Sequence, residues 1–487
     1  MSKPSFMHAR TIRRARYAPH ALVATVALAL GLSGCGPKPE EPAAKPAVAA
    51  VAPEPAPAIC QASASWITNP APPPEIASAE TFCDFYQFSW QWFLAQTSPV
   101  DAANAGSERV FEQNRLMNPI VKSGQCSLPM LLGRASAAQM LAVRDDKPLG
   151  LEDTQADGNA MYDQNGNLLY YNMWYSKAMC ESTQQGFAPG TFEIKVAWKV
   201  LPAADPTYYS MQATLPGGTT PVILGMVGFH LANWTQHHPE MIWATFEHKT
   251  NAPLCDGSSP QPASGWSFAS KDAATCLTAN PQPTSGPPSA ACDSFKFNTP
   301  DKFANPPPPA TNTANNICRQ FSHGNQPGQS VNGNDNASNL LAIQQLNDQL
   351  VGANGMLTKL PDTDPMAIWK NYEMIGALWT KAGASSGNAP VPHMSNGKVV
   401  PGDPTSPQRG SLELANMSME TFQQGDTSYI PNCFGCHNFN TATPLNVSHI
   451  CDNLFSVDST GKNCVIPPRG EAAATAPRAA PDAAEMR

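Results

Sequence analysis

The chain has 487 residues, and its composition already excludes some classes of protein. Charged residues make up 14% of the chain, against roughly 25% in an average soluble domain. Proline occurs 49 times, which predicts long loops around a modest core, and the formal charge is -8. Because nucleic-acid-binding proteins carry basic surfaces, we expect no nucleic-acid partner. No apolar run of ~18 residues follows residue 34, so we expect no transmembrane helix after that point.

Residues 1–34 have the organisation of a signal peptide. A basic segment from Arg10 to Arg16 precedes an apolar segment from Ala21 to Leu32, and this order is typical of export signals. The first 34 residues hold five basic side chains and no acidic one, so their removal takes the formal charge from -8 to -13. An acidic mature chain suits a basic partner protein, although acidic surfaces are also common solubility devices.

The signal ends in Leu32-Ser33-Gly34-Cys35, which resembles the bacterial lipobox. The resemblance implies that Cys35 is lipidated and anchors the protein on the periplasmic side of the cell envelope. By the same analogy, Gly36 after the cysteine favours the outer membrane. A plain secretory signal followed by an unmodified cysteine is the alternative. Residues 35–58 are rich in Pro and Ala, so we interpret them as a tether without a core of its own.

The predicted globular part begins with residues 59–252. A helix is predicted over 78–96 from its aromatic stripe, and Asn165-Gly166 predicts a two-residue hairpin turn. Alternating apolar residues predict a strand from Phe192 to Leu201. Successive strands are predicted over 209–215, 222–231 and 241–248. The sequence therefore predicts a mainly β fold with helical decoration (α+β), built on an antiparallel sheet, with a small C-terminal segment of its own.

The rest of the chain changes character several times. Residues 253–335 are rich in Pro and Cys and predict a disulfide-pinned insertion with little regular structure. Residues 336–430 are interpreted as a continuation of the globular domain, with a helix over 338–351 and a core element of undecided type over 369–379. The small C-terminal segment is 431–465, and a disordered tail is predicted over 466–487.

Cys433-Phe434-Gly435-Cys436-His437 is a C-x-x-C-H motif, the signature of c-type haem attachment. Two thiols at this spacing reach the two vinyl groups of one haem, and the adjacent histidine turns under the ring as the proximal iron ligand. A disulfide between Cys433 and Cys436, or a thioredoxin-like redox pair, is the alternative. Neither explains the histidine, so we interpret residues 431–465 as a small C-terminal haem c segment.

With this motif, the chain resembles a bacterial c-type cytochrome family lipoprotein with one haem. The resemblance covers the lipobox and the residues around the motif. It implies one covalent haem c with an iron centre. Small cytochromes c place a distal methionine after the motif, whereas here the only later methionine is Met486, in the predicted tail.

The sequence therefore does not identify the sixth iron ligand. His449 lies 12 residues after His437, and an extended chain of that length reaches around a haem edge. Met417 and Met419, just before the motif, are the alternative distal ligands. A remote ligand or an open iron face is the third possibility.

The other cysteines predict disulfides. The chain has 13 cysteines, and ten remain after Cys35, Cys433 and Cys436 are set aside, which fits an oxidising compartment. We expect pairing between neighbours in sequence. The predicted pairs are Cys60–Cys83, Cys126–Cys180, Cys255–Cys276, Cys292–Cys318 and Cys451–Cys464.

Four histidines fall near predicted strands, namely His230, His237, His238 and His248. A metal site with Glu240 or Glu247 is conceivable, but no metal-ligand spacing is present. Ordinary hydrogen-bonded histidines are the favoured interpretation.

Three functions follow from these features. The first is electron transfer in the cell envelope through one covalent haem, with redox partner proteins. The second is a haem-dependent oxidoreductase whose open iron site binds peroxide or another small molecule. The third is a surface-binding lipoprotein in which haem is auxiliary. Whether the protein is an enzyme stays open, with the electron carrier favoured.

Overall fold

The computed structural model of the protein describes much of the chain between residues 59 and 465. The described residues are 59–76, 81–102, 107–113, 115–116, 161–180, 182, 186–215, 220–279, 316–326, 330–331, 333–381, 393–395, 398–400, 406–421, 424, 432–435, 437, 444–448, 456–457 and 464–465. The predicted signal peptide, tether and tail lie outside them. The described residues all belong to one compact unit.

Five helices and fourteen strands are described. The helices are α1 (Ser65–Thr68), α2 (Phe82–Thr97), α3 (Lys177–Cys180), α4 (Ala273–Ala279) and α5 (Asn336–Val351). The strands are β1 (Arg115–Leu116), β2 (Tyr170–Tyr175), β3 (Phe192–Leu201), β4 (Ser210–Thr214), β5 (Pro221–Asn233), β6 (Ile242–His248), β7 (Ser330–Val331), β8 (Asn334–Asp335), β9 (Tyr372–Thr380), β10 (His393–Ser395), β11 (Lys398–Val400), β12 (Gln408–Gly410), β13 (Ser456–Val457) and β14 (Cys464–Val465). Short 3₁₀ turns cover Val110–Gln113, Ser322–Gly324, Ala367–Asn371, Cys433–Gly435 and Pro444–Val447.

One eight-stranded antiparallel sheet organises the molecule. Its strand order is β1-β2-β3-β5-β6-β9-β12, and β4 pairs with β5 beside that path. The predicted antiparallel, mainly β fold is confirmed, and the four predicted strands correspond to β3, β4, β5 and β6. The element of undecided type is the 3₁₀ turn Ala367–Asn371 followed by β9.

The predicted hairpin is present, but its loop has three residues, 164–166, and not two, because the Asp163 N–H donates to the Asn167 carbonyl and the Gly166 N–H to the Asp163 carbonyl. Tyr162 and Leu168 form an antiparallel bridge across it, and Gly166 has a φ of 76°, which suits glycine in a tight turn. Asp163 accepts hydrogen bonds from the backbone of Asn165 and Asn167 through Oδ1.

Helices α2 and α5 cover one face of the sheet, which we call the helix-covered face. α2 begins with a capping box, in which Thr81 and Asp84 bond each other's backbone N–H groups. Phe93 of α2 stacks on Phe246 of β6 at 4.1 Å between ring centroids. Asn347 of α5 donates through Nδ2 to the Met374 carbonyl of β9. The two helices thereby seal a large aromatic core against the sheet.

The opposite face, which we call the loop-covered face, is buried under irregular segments. Trp243, Thr245 and Glu247 point to it from β6, alternating with Ile242, Ala244 and Phe246 of the aromatic core. Residues 411–421 pack along this face, where Asn416 donates through Nδ2 to Thr245 Oγ1 at 2.7 Å. The strand β6 is consequently buried on both sides, and its polar residues Thr245 and Glu247 are as buried as the apolar residues that alternate with them.

The insertion corrects two of the predicted disulfides. Cys255 is bonded to Cys318, so the pairings of Cys255 with Cys276 and of Cys292 with Cys318 are wrong. A parallel bridge between Leu254 and Arg319 brings the two cysteines together, and this contact between distant segments outweighs proximity in sequence. Cys276 is also disulfide-bonded, and it lies in α4, a helix that the sequence analysis did not predict.

The predicted pair Cys60–Cys83 is confirmed, with Cα atoms 5.5 Å apart. It ties the segment before α1 to the first turn of α2. The predicted pairs Cys126–Cys180 and Cys451–Cys464 include residues outside the described ones.

Among the described residues, none of the helices combines the length and the apolar character needed to cross a membrane.

Candidate functional site

The C-x-x-C-H motif begins in a 3₁₀ turn, Cys433–Gly435, that is fixed by the residue before it. Asn432 is fully buried. Its Oδ1 accepts from the Phe434 backbone N–H at 3.0 Å. Its Nδ2 donates to Gln408 Oε1 at 2.8 Å and to the Leu412 carbonyl at 2.9 Å. Asn432 therefore both caps the turn and joins it to β12.

Phe434 anchors the motif in the loop-covered face. It has no exposed surface, and its neighbours form the apolar group that we call the site cluster. The site cluster comprises Tyr175, Met179, Phe187, Ala232, Met241, Trp243, Ile375, Leu378, Leu412, Leu414, Phe434, Leu445 and Val447. Cys433 is half-buried and packs against this cluster. The thiol of Cys433 is thus held at the edge of a dry, rigid surface.

His437 lies one turn after Cys433. Its backbone N–H donates to the Cys433 carbonyl at 2.8 Å. Its ring lies 4.1 Å from the Trp243 ring, tilted by 34°. Its Nδ1 is 2.9 Å from the Val447 carbonyl. A carbonyl only accepts, so this contact assigns the proton to Nδ1 and the lone pair to Nε2, the form in which a histidine binds a metal.

The turn Pro444–Val447 supplies that carbonyl, and β3 holds the turn. Leu445 and Val447 are buried in the site cluster. Ser448, the next residue, donates through Oγ to the Glu193 carboxylate of β3. Burial raises the pKa of Glu193 to about 7, against the opposing effects of the Ser448 hydrogen bond and of Lys195.

The structure brings Cys433 and His437 together but places Met417 and Met419 elsewhere. Both methionines are fully buried in a separate apolar group on the same face of the sheet. The Met417 backbone N–H donates to Glu247 Oε1 at 2.8 Å, and its sulfur accepts from Gln424. Glu247 is four residues along β6 from Trp243, which is about 13 Å of strand. Cys35, Cys436 and His449 lie outside the described residues.

The four histidines near the strands do not converge. His230 Nε2 lies 2.7 Å from Glu420 Oε2, and His238 Nδ1 lies 2.9 Å from Glu240 Oε1. His248 contacts the Thr207 carbonyl and Thr250 Oγ1, and burial lowers its pKa to about 3. Within the described part of the chain, no group of three or more His, Cys, Asp or Glu side chains forms a metal-ion cluster.

Sequence reasoning missed most of the groups that hold the motif in place. Asn432 had a local signal, because asparagine is typical before a tight turn. Trp243 and Glu193 had none, since each reaches the motif only through the pairing of distant strands, and the role of Ser448 depends on its contact with Glu193. The residues present nonetheless fit a covalent haem, with a half-buried thiol, a histidine in the metal-binding tautomer and an apolar floor.

Comparison with protein families, with curated proteins and with solved structures finds no match to this chain.

Proposed function

We propose that this protein is a cell-envelope c-type cytochrome that transfers electrons through one haem. In this proposal Cys433 and Cys436 bond the haem covalently, and His437 is the proximal iron ligand. The haem, when bound, supplies the one-electron chemistry, while the ligands and their surroundings tune its potential. The third possibility, a surface-binding lipoprotein, has no contact among the described residues in its favour.

The observation that carries the proposal is the hydrogen bond between His437 Nδ1 and the Val447 carbonyl. Metal-binding histidines nearly always donate their other ring N–H to a fixed acceptor, which orients the ring and raises its basicity. A disulfide or a thioredoxin-like pair needs no such oriented imidazole. The indole of Trp243 against the ring restricts its rotation further.

The protein's own residues supply an environment that suits an electron carrier. Asn432 fixes the start of the motif, and Phe434 fills the apolar floor. Both groups are anchored to the sheet, Asn432 through Gln408 and Phe434 through the site cluster. A rigid, largely dry surround is the setting in which hydrogen bonding and burial set the iron potential.

The decisive experiment is to test for covalent haem. Acid-acetone extraction followed by mass spectrometry of the full chain should leave one haem attached. Cys433→Ala and Cys436→Ala should each leave at most one weak linkage and much less mature protein. His237→Ala changes an exposed histidine and is the matched control, with haem content unchanged. Loss of all haem from the wild type on extraction would refute the proposal.

Export and lipidation are part of the same proposal. The disulfides Cys60–Cys83 and Cys255–Cys318 support it, because such bonds persist in oxidising compartments. We propose that Cys35 anchors the protein to the membrane, with the outer membrane favoured, and that its partners are redox proteins, basic ones among them. A labelled fatty acid should mark the wild type and spare Cys35→Ser. An unlabelled wild type overturns the anchor.

A haem oxidoreductase is the second candidate, and the position of the methionines favours it. Met417 and Met419 are packed away from the motif, which leaves His449, a remote ligand or an open iron face as the candidates for the sixth position. Spectra with and without carbon monoxide distinguish an occupied sixth position from an open one. A low-spin iron that does not bind carbon monoxide, and that becomes high-spin in His449→Ala, supports an electron carrier. A high-spin, carbon monoxide-binding wild type supports catalysis.

A further inference from the structure

We propose that Glu193 and Ser448 are positioning residues for His437. They hold the Val447 carbonyl against His437 Nδ1 and so set how strongly the imidazole donates to iron. The inference rests on the proposed function for the role of His437. It adds to that function a pair of residues that tune the same site from a strand of the central sheet.

Glu193 is a rigid anchor. It lies in β3, with Tyr175 of β2 and Ala232 of β5 as its register partners on either side. Its side chain is 4% exposed, and the hydroxyl of Ser448, itself 3% exposed, donates to its Oε2. A buried carboxylate that loses its donor pays a desolvation cost, so this contact is strongly preferred over an open arrangement.

The turn transmits the position of Ser448 to Val447. The Ser448 backbone N–H donates to the Leu445 carbonyl at 3.3 Å and closes the turn. Val447 is fully buried between them, and its carbonyl is the acceptor for His437 Nδ1 at 2.9 Å. If Ser448 is released from Glu193, the carbonyl loses its support on the C-terminal side.

The chemical consequence lies in the basicity of the imidazole. A strong bond from Nδ1 to an acceptor gives the ring partial imidazolate character and raises the basicity of Nε2. A more basic ligand stabilises ferric over ferrous iron, so weakening the bond raises the midpoint potential. A tenfold loss in the preference of His437 for ferric iron corresponds to about 59 mV for one electron.

The variants separate a hydrogen-bond effect from a charge effect. Ser448→Ala and Glu193→Leu both remove the contact and should raise the midpoint potential of the haem-loaded protein by a similar amount, on the scale of that tenfold change. Glu193→Gln keeps an acceptor oxygen, and Ser448→Thr keeps the hydroxyl, so the midpoint potential of both variants should stay near that of the wild type. Ser418→Ala removes another buried hydroxyl on the same face and should shift nothing.

A second readout needs no haem. The chain has ten histidines, so histidine-selective ¹⁵N labelling allows the His437 Nδ1 proton to be followed by NMR. Its exchange with solvent should accelerate about tenfold in Ser448→Ala and return in Ser448→Thr. If no haem is attached, the proposed function fails while this test still stands. Unchanged exchange in a folded Ser448→Ala overturns the positioning role. A midpoint potential that shifts in both Glu193→Leu and Glu193→Gln but not in Ser448→Ala overturns it as well.

Discussion

The two faces of the sheet are buried by different means. On the helix-covered face, α2 and α5 bring rings such as Phe93 against Phe246, and the core is almost wholly apolar. On the loop-covered face, irregular segments bring polar groups against buried carboxylates. Glu247 bonds Arg319 and the backbone of Met417, and Glu193 bonds Ser448.

The difference teaches where stability and function reside in this molecule. Helices bury one apolar stripe and need no specific partner beyond a matching surface. Loops carry unpaired backbone groups and polar side chains, so they can cover a sheet only through defined hydrogen bonds. Hydrogen bonds of this kind also position His437. The loop-covered face therefore depends on specific hydrogen bonds, whereas the helix-covered face depends on the burial of apolar side chains.

The largest expected effect is on the helix-covered face. Phe93→Ala removes a fully buried ring that stacks on Phe246 and meets Phe229 edge-on. We expect a loss of about 3–5 kcal/mol in the free energy of unfolding, measured by chemical denaturation. Leu341→Ala, at an exposed position of α5, should cost about 0.5 kcal/mol or less. Equal effects at both positions would contradict the assigned core.

Breaking the ion pair of the loop-covered face should cost nearly as much. Arg319 bonds Glu247 at 2.7 Å and the Ala415 carbonyl at 2.8 Å, and both charged side chains are buried. Arg319→Met leaves a buried carboxylate without its cation, at a cost of about 3–5 kcal/mol. Adding Glu247→Met should restore much of the loss. A double variant as unstable as the single one would show that packing, and not charge, holds this face.

One buried titratable group on each face should make the free energy of unfolding depend on pH, and the two effects should have opposite signs. His248, on the helix-covered side, has its pKa lowered to about 3 by burial. Between that value and ~6.5, only the unfolded chain takes up this proton, so stability falls as pH falls. Glu193 has its pKa raised to about 7. Between ~4.5 and that value, only the folded chain keeps the proton, so stability falls as pH rises.

Each contribution can be removed separately. His248→Gln should flatten the loss on the acidic side, and Glu193→Gln should flatten the loss on the neutral side, in denaturation curves measured from pH 4 to 8. A shift of one pKa unit corresponds to about 1.4 kcal/mol, so the free energy of unfolding should change by a few kcal/mol across the pH range of each group. Wild-type slopes that neither variant changes would rule out both groups.

The smallest expected effect concerns the methionines. Met417→Leu conserves volume at a buried position and should cost less than about 1.5 kcal/mol. Because Met417 packs beside Glu247 and its sulfur accepts from Gln424, the visible spectrum should not change. Met419→Leu is the matched control. A change to a high-spin spectrum in Met417→Leu alone would show that Met417 is the distal iron ligand.

The sequence predicted the parts of the molecule that depend on local pattern. The alternation in Phe192–Leu201 and the aromatic stripe of α2 identified elements that face one core. The C-x-x-C-H spacing identified Cys433 and His437 before any fold was known. Disulfide pairing failed at Cys255, because a bridge between residues 254 and 319 decided it.

The support of the site was beyond sequence reasoning for the same reason. Glu193 and Ser448 are 255 residues apart, and nothing in the alternating pattern of β3 distinguishes Glu193 from a solvent-facing glutamate. Trp243 lies in a strand that is buried on both faces, so its burial alone does not show which neighbours it meets. Only the strand order reveals which distant segments meet there.

The attachments of the motif also set an order of events during folding. Asn432 is tied to β12, His437 contacts β6, and Ser448 is tied to β3. β3 and β12 come into register only when β5, β6 and β9 are already between them. Contacts of such long range form slowly, because the loops that join them must close first. We therefore expect the docking of Asn432, His437 and Ser448 on the sheet to be a late event in folding, after the central strands have paired.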